Sequence, residues 1–470
     1  MRSNPTRWPV AALAVSLLVV ACGGGDDDEG DGGGGGDAGA DSITVWVIED
    51  LPDRVAAIQA ISDRFTEESG IDVELVDVAE AQFDQLVTSS AAAGDLPDVV
   101  GALPLAGVQS MSVNELLDTE VPGEIVDELG ADTFAEASLE LTRDGDTQLA
   151  VPSDAWAQLL VYRKDLFDAA GLEEPTTYEA ITAAAEALDS SEVAGITAAT
   201  IPGDAFTQQS FEYFAMGNGC ELVDDDGNVT LDSSNCVETF DFYANLAKNF
   251  SVAGNQDVDS TRATYFAGQA AMLVWSSFIL DEMAGLRNDA LPTCAECRDN
   301  PAFLAENSGV VTGVQGPDGD EPAAYGEIVS WVVTADAATD AAADYIRYLM
   351  SDGYQDWFAI APEGKVPTRQ GTEDDPEQFI TAWEGLDAGV DTKAPLSDFY
   401  DAETLEAVRT SPETIQRWGF EQGEGALVGA TLGELPVATA LNELVSGSGT
   451  AEEAAQQAQA AVVEIQESLG

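Results

Sequence analysis

The order of patterns between residues 43 and 103 constrains the fold more than any other feature of the chain. Residues 43–48 form a short run rich in β-branched side chains, and residues 53–69 place Val55, Ile58, Ile61 and Phe65 at helical spacing. Residues 71–78 then alternate as a strand does. A second helical stretch, 79–93, leads through Gly94, Asp95, Leu96 and Pro97 into the apolar run 98–103. Strand, helix, strand, helix and strand joined by loops this short predict an α/β fold built on an open, mostly parallel sheet flanked by helices. Such sheets bind ligands beyond the carboxyl ends of their strands, so Glu49 and Asp50, directly after the first strand, fall on a binding edge.

At 470 residues the chain is long enough for two or three domains of ordinary size. From residue 151 the pattern turns mainly helical; an apolar strand returns over 327–334, followed by a helix over 341–350. Strands that return after a long insertion predict two lobes with the chain crossing between them more than once. Residues 450–468 read as a terminal amphipathic helix.

The amino terminus reads as an export signal. Arg2 and Arg7 precede an apolar run over 10–21 that suits a signal peptide and is too short for a mature membrane span. Residues 1–21 are therefore expected to be removed. The run ends at Ala21 and Cys22 in a sequence that resembles the bacterial lipobox, which makes Cys22 the expected site of lipidation; an unmodified cysteine in a secreted protein is the competing reading. Residues 23–42 are nearly all Gly, Asp, Ala and Ser, cannot bury apolar area, and read as a flexible tether.

Charge removes whole classes of function. Lys and Arg number 17 against 87 Asp and Glu, a net charge of −70 that repels nucleic-acid phosphates. The excess runs along the entire chain, as adaptation to high salt or a compositional bias produces; an acidic site for a cationic ligand is the competing reading. The absence of histidine excludes histidine-based triads and histidine-ligated metals. Of the five cysteines, one is taken by lipid and four are left for two disulfides. Cys220 and Cys236 flank the turn-forming stretch 224–228, and Cys294 and Cys297 form a CxxC among loop residues. The expected pairs are Cys220 with Cys236 and Cys294 with Cys297, with no metal and no cofactor.

Five segments along the mature chain, in order, resemble the extracellular solute-binding proteins of ABC importers, in particular their sugar-binding, maltodextrin-receptor-like group. They are the opening strand, helix and strand over 43–78; the PDVV run ending at Val100; the stretch 151–167, ending in Tyr162, Lys164, Asp165 and Leu166; Phe266 to Met272; and Gly364 to Arg369. The resemblance implies a two-lobe, hinged, periplasmic-binding-protein-like fold that closes around a solute. It implies a small-molecule sugar ligand, membrane permease subunits as partners, no enzymatic activity, a monomer, and anchoring by lipid to the outer face of the cytoplasmic membrane. It divides the chain into residues 43–149 plus 325–370 for one lobe and 150–324 plus 371–470 for the other.

Sugar hydroxyls need carboxylates, amides and arginines, while apolar ring faces need flat aromatic surfaces. At the places where the family carries such groups, the chain offers Glu49, Asp50, Trp156, Trp275, Phe278, Tyr325, Glu327, Trp331 and Arg369 as ligand-binding residues. Trp156 and Trp275 are expected to face each other across the groove. Trp46, inside the first strand, reads as core, and Gln109 and Lys365 as further polar candidates whose simpler place is the surface. The loop over 101–108 lacks the aromatic and charged residues that maltodextrin-type receptors carry there. Two other readings stay open on the residues alone: a receptor for a polyamine or other cation, and an exported glycoside hydrolase built on two carboxylates.

Overall fold

The structure is a computed structural model that describes residues 41–469. The export signal, Cys22 and nearly all of the tether lie outside the described residues.

Strand β1 (Ser42–Ile48) runs into helix α1 (Pro52–Ser69), which starts on Pro52 and buries Ile58, Ile61 and Phe65 before ending on the left-handed Gly70. Strand β2 (Asp72–Val78), helix α2 (Phe83–Ala93), strand β3 (Val99–Pro104) and helix α3 (Leu105–Val113) follow. β1 lies between β2 and β3 and is parallel to both.

Strand β4 (Val151–Arg163) then crosses out of this layer. Beyond it lie helices α4 (Tyr178–Leu188), α5 (Ala205–Gly217) and α6 (Ser234–Asn249), and strands β5 (Met272–Ser276) and β6 (Ser308–Val311). Strand β7 (Ala323–Val333) brings the chain back, followed by α7 (Thr339–Leu349) and β8 (Val366–Pro367). Helices α8 (Gly425–Glu434), α9 (Pro436–Val445) and α10 (Ala451–Leu469) close the chain.

The sheet path is β8, β4, β7, β3, β1, β2, and the two crossing strands give the fold its two lobes. The first half of β4 pairs antiparallel with β7, from Val151 opposite Trp331 to Ala157 opposite Gly326. Its second half pairs with β5 and β6. The far end of β7 lies antiparallel to β3. The sheet is thus parallel where helices connect its strands and antiparallel where the chain leaves and returns.

Two large apolar clusters fill the interior. One gathers Val45, Ile58, Phe65, Val99, Trp331, Tyr345 and Trp357 and continues through Leu159, Trp275 and Leu280; the other gathers Phe211, Phe214, Phe240, Tyr243, Trp418 and Leu441. Both expected disulfides are formed, Cys220 to Cys236 across the turn at 224–228 and Cys294 to Cys297. No helix among the described residues is long and apolar enough to cross a membrane.

Candidate functional site

The lobes meet where β1 and β5 end and where β4 and β7 cross. Glu49 and Asp50 follow β1 as expected, but they do different things. Through Oε1, Glu49 accepts the backbone N–H groups of Asp50 and Leu51 at 3.1 and 3.0 Å, which fastens the entry of α1. Its Oε2 takes Nη1 of Arg54 at 3.3 Å. The guanidinium of Arg54 then lies 5.0 Å from the centroid of Phe278, in the loop after β5. The same ring fills the space beside Gly364, where a side chain would collide with it and displace it. Groups from the ends of β1 and β5 and from the approach to β8 therefore close on one another across the seam.

The mouth of the seam is acidic. Glu80 follows β2 and keeps solvent contact, yet the protein around it, followed by repulsion from Glu327, Asp204, Asp50 and Asp84, pushes its carboxyl above the ordinary range. Asp204 belongs to the other lobe, where it caps α5 by accepting the N–H of Phe206 at 3.0 Å.

On the crossing strands, Trp156 sits opposite Glu327, half-buried, with its ring 6.4 Å from that of Tyr325. Tyr325 is fully buried beneath the guanidinium of Arg417 at 4.7 Å. Glu327 is buried as well: Oε1 accepts the N–H of Leu105 at 3.0 Å and Oε2 accepts Nη1 of Arg417 at 3.1 Å. Arg417 also donates through Nε to Glu212 at 2.9 Å. Burial works against the charged guanidinium, but Glu212 and Glu327 outweigh it and hold Arg417 above its ordinary value. With its oxygens taken by the first turn of α3 and by Arg417, Glu327 is tied through Arg417 to Glu212 of α5.

Three expectations about the site need correction. Trp156 and Trp275 do not face each other. β4 pairs with β5 so that Leu159 lies opposite Trp275, and side chains alternate along a strand, so positions 156 and 275 point to opposite faces of one sheet. The packing agrees: Trp275 lies edge-on to Phe206 at 5.2 Å under the guanidinium of Arg262 at 5.5 Å, within the apolar cluster opposite to that of Trp156. Trp331 is core rather than groove wall, fully buried against Trp357 at 4.8 Å and lying over Gly101. Arg369 is also interior. It donates to the carbonyls of Met350 and Leu129 at 2.6 and 2.8 Å and is flanked by Phe134 and Phe379. Of the further polar candidates, Lys365 is buried on Asp154 at 3.4 Å and Gln109 is buried against Gly425. Trp46 is buried in the first lobe as expected.

Sequence reasoning missed Arg54, Glu80, Asp204 and Arg417. The one available signal was scarcity: with 17 cations among 470 residues, an arginine five positions after Glu49 stands out. Two hollows lie elsewhere, one of about 280 Å³ beside Trp383 and Arg409 and one of about 660 Å³ between α4 and α6. Neither is lined by residues of the crossing strands.

Residues 49–356 match the family described as bacterial extracellular solute-binding protein. The Escherichia coli (strain K12) protein YcjN, named for an ABC transporter periplasmic-binding protein, is 26% identical over 327 residues, 68% of this chain and 71% of that one. Among solved structures, an ABC transporter solute-binding protein from Thermotoga lettingae TMO bound with α-D-tagatose aligns with a TM-score of 0.69 at 18% identity, covering 92% of this chain and 100% of that one. The maltose-bound MalE3 of T. maritima aligns with a TM-score of 0.66 at 17% identity, over 90% of this chain and 98% of that one. The matched family is one of solute-binding proteins rather than enzymes, which removes the glycoside hydrolase alternative. Bacterial extracellular solute-binding protein is the family to which this chain belongs.

Proposed function

We propose that the protein captures a sugar, from a monosaccharide to an oligosaccharide, between its two lobes and delivers it to the permease subunits of an ABC importer. The observation that carries this reading is the seam itself. A carboxylate-held arginine and a phenylalanine ring meet across the seam, and Trp156, on one of the strands that cross between the lobes, keeps solvent contact. Aromatic faces for sugar rings and charged groups for hydroxyls meet there, at the strand ends where open sheets bind ligands. Both solved relatives named above carry a sugar.

We assign Cys22 as the lipid anchor and residues 23–42 as the tether that holds the body, as a monomer, off the outer face of the cytoplasmic membrane. The lobes are residues 43–149 with 325–370, and 150–324 with the chain's end. We extend the first lobe past residue 370 because Phe379 packs edge-on against Tyr354 at 4.9 Å and Trp383 donates to the carbonyl of Pro362 at 2.8 Å. A cationic solute such as a polyamine is the second reading, favoured by the carboxylates of Asp50, Glu80 and Asp204 at the mouth.

A thermal-shift screen separates the two. A ligand present at 100 times its Kd stabilises the native state by about 2.7 kcal/mol. D-tagatose, ribitol, maltose and maltotriose are the probes for the sugar reading and spermidine for the cationic one. A shift with spermidine alone overturns sugar capture.

A further inference from the structure

Behind Phe278 the chain enters the short helix Ile279–Met283, where buried polar groups lie unsatisfied. Asp281 is 1% exposed, and neither of its carboxylate oxygens meets a hydrogen-bond partner among the described residues. Glu363 is equally buried with Oε2 unpaired, and Oε2 of Glu282 and Nε of Arg54 are unpaired in the same way. These groups reach the seam from three directions. Arg54 comes from α1, Asp281 and Glu282 from the turn after β5, and Glu363 from the approach to β8, one residue before the Gly364 that Phe278 covers. Native structures leave few buried polar groups without partners, and a cluster of them on both sides of a seam marks a place that a ligand completes.

We propose that Asp281, Glu363 and the Nε–H of Arg54 form the polar floor of the solute site and bind adjacent hydroxyl groups of a neutral sugar or polyol. The proposal rests on the sugar-capture reading and names the groups that would anchor the sugar. A hydroxyl both donates and accepts, and the floor offers carboxylate oxygens to receive hydrogens and one N–H to give. An anion would meet the carboxylates. A free ammonium would meet Arg54 and Arg287, whose charges both reach Asp281 and Glu363. A metal would lack ligands, since no group of three or more His, Cys, Asp or Glu among the described residues could hold one.

The floor also carries a proton signature. Burial, then Glu363, pushes the Asp281 carboxyl up to about 8 against the opposing pull of Arg287 and Arg54. Burial raises Glu363 too, against Arg54, Arg287 and Lys393. Glu282, raised to about 7 by burial, and Tyr400 complete the groups facing the pair. Near neutral pH the pair thus keeps a proton. Sugar hydroxyls that donate to it favour the ionised form, so binding expels that proton and affinity rises as pH climbs toward 8.

Isothermal titration of the full chain at pH 7.5, in two buffers of different ionisation enthalpy, tests this with D-tagatose, ribitol, maltose and maltotriose against wild type, Asp281→Asn, Glu363→Gln and Arg54→Lys. The expected result is that at least one sugar saturates wild type with net proton release. That sugar should bind at least tenfold more weakly to Asp281→Asn and Glu363→Gln, with no release. Arg54→Lys keeps the charge but loses the Nε–H, and an equal loss is expected there even if the carboxyl variants fail to fold. Saturable binding with unchanged Kd in the variants, or without proton release in wild type, overturns the floor and leaves sugar capture standing. Failure of all four probes to saturate wild type overturns both.

Discussion

Replacing Arg417 by Met removes the one cation from a fully buried triad while keeping much of the side chain's bulk. In the native protein its guanidinium meets Glu212 at 2.9 and 3.5 Å and Glu327 at 3.1 Å, and both partners are buried. Without it, two carboxylates remain in the interior. Glu327 keeps the N–H of Leu105, and Glu212 keeps the N–H of Trp418 at 3.3 Å. Breaking a buried ion pair from one side costs about 3–5 kcal/mol, because the surviving charge stays desolvated. With two carboxylates stranded we place Arg417→Met at about 4 kcal/mol or more, measured as a drop in the urea midpoint at pH 8. The sign with pH is fixed. Burial already holds both carboxyls above the ordinary range in the native protein against the pull of Arg417; without that pull they rise further, so the variant takes up more protons on folding than the native protein does and its deficit shrinks as pH falls. The deficit at pH 5 should therefore be visibly smaller than at pH 8. Adding Glu212→Gln and Glu327→Gln to the variant should recover part of the loss at pH 8. A deficit below about 1 kcal/mol, or one equal at the two pH values, would refute the reasoning that the triad is an ionised bridge between α3 and α5.

Other consequences can be checked separately. Trp156→Ala should weaken sugar binding at least tenfold, about 1.4 kcal/mol, with little change in the melting temperature of the ligand-free protein. Trp331→Ala should cost about 3–5 kcal/mol of stability and leave the affinity of the folded fraction intact, by calorimetry and titration of the same samples. Replacing Cys220 and Cys236 together by Ser opens a loop of sequence separation 16 and should cost about 3 kcal/mol in urea unfolding. Cys22→Ser should move the protein from the membrane pellet to the medium on cell fractionation, whereas wild-type protein found wholly in the medium would reject the lipid anchor. Asp281 titrates near 8 in the folded protein, well above an ordinary aspartate, so its contribution to stability is present at low pH and is lost between about pH 4 and 8. Asp281→Asn should flatten the decline in stability over that window.

The first layer was legible because its elements carry clean periods. Val55, Ile58, Ile61 and Phe65 mark one stripe of α1, and a single helix between each pair of strands from β1 to β3 calls for parallel pairing. Strand β4 was not legible. Only Trp156 and Tyr162 along its 13 residues retain solvent contact, so no alternation betrays a strand that is covered on both faces. The placement of groups after strand one was legible at Glu49, but its role in holding Arg54 needed coordinates. The parity of Trp156 and Trp275 depends on strand register, which motif spacing does not reveal. Asp281 and Glu363 are two among 87 acids, far apart in sequence, and only folding sets them against each other.

The central claim is that a neutral sugar binds between the lobes at a seam that includes Trp156. Its most direct test is a fluorescence titration of wild type and Trp156→Ala with D-tagatose, ribitol, maltose and maltotriose. Sugar capture at this seam predicts a single saturable change for at least one sugar in wild type and at least a tenfold higher Kd in the variant. Saturation with the same Kd in both proteins, or saturation with spermidine and with none of the sugars, would contradict it.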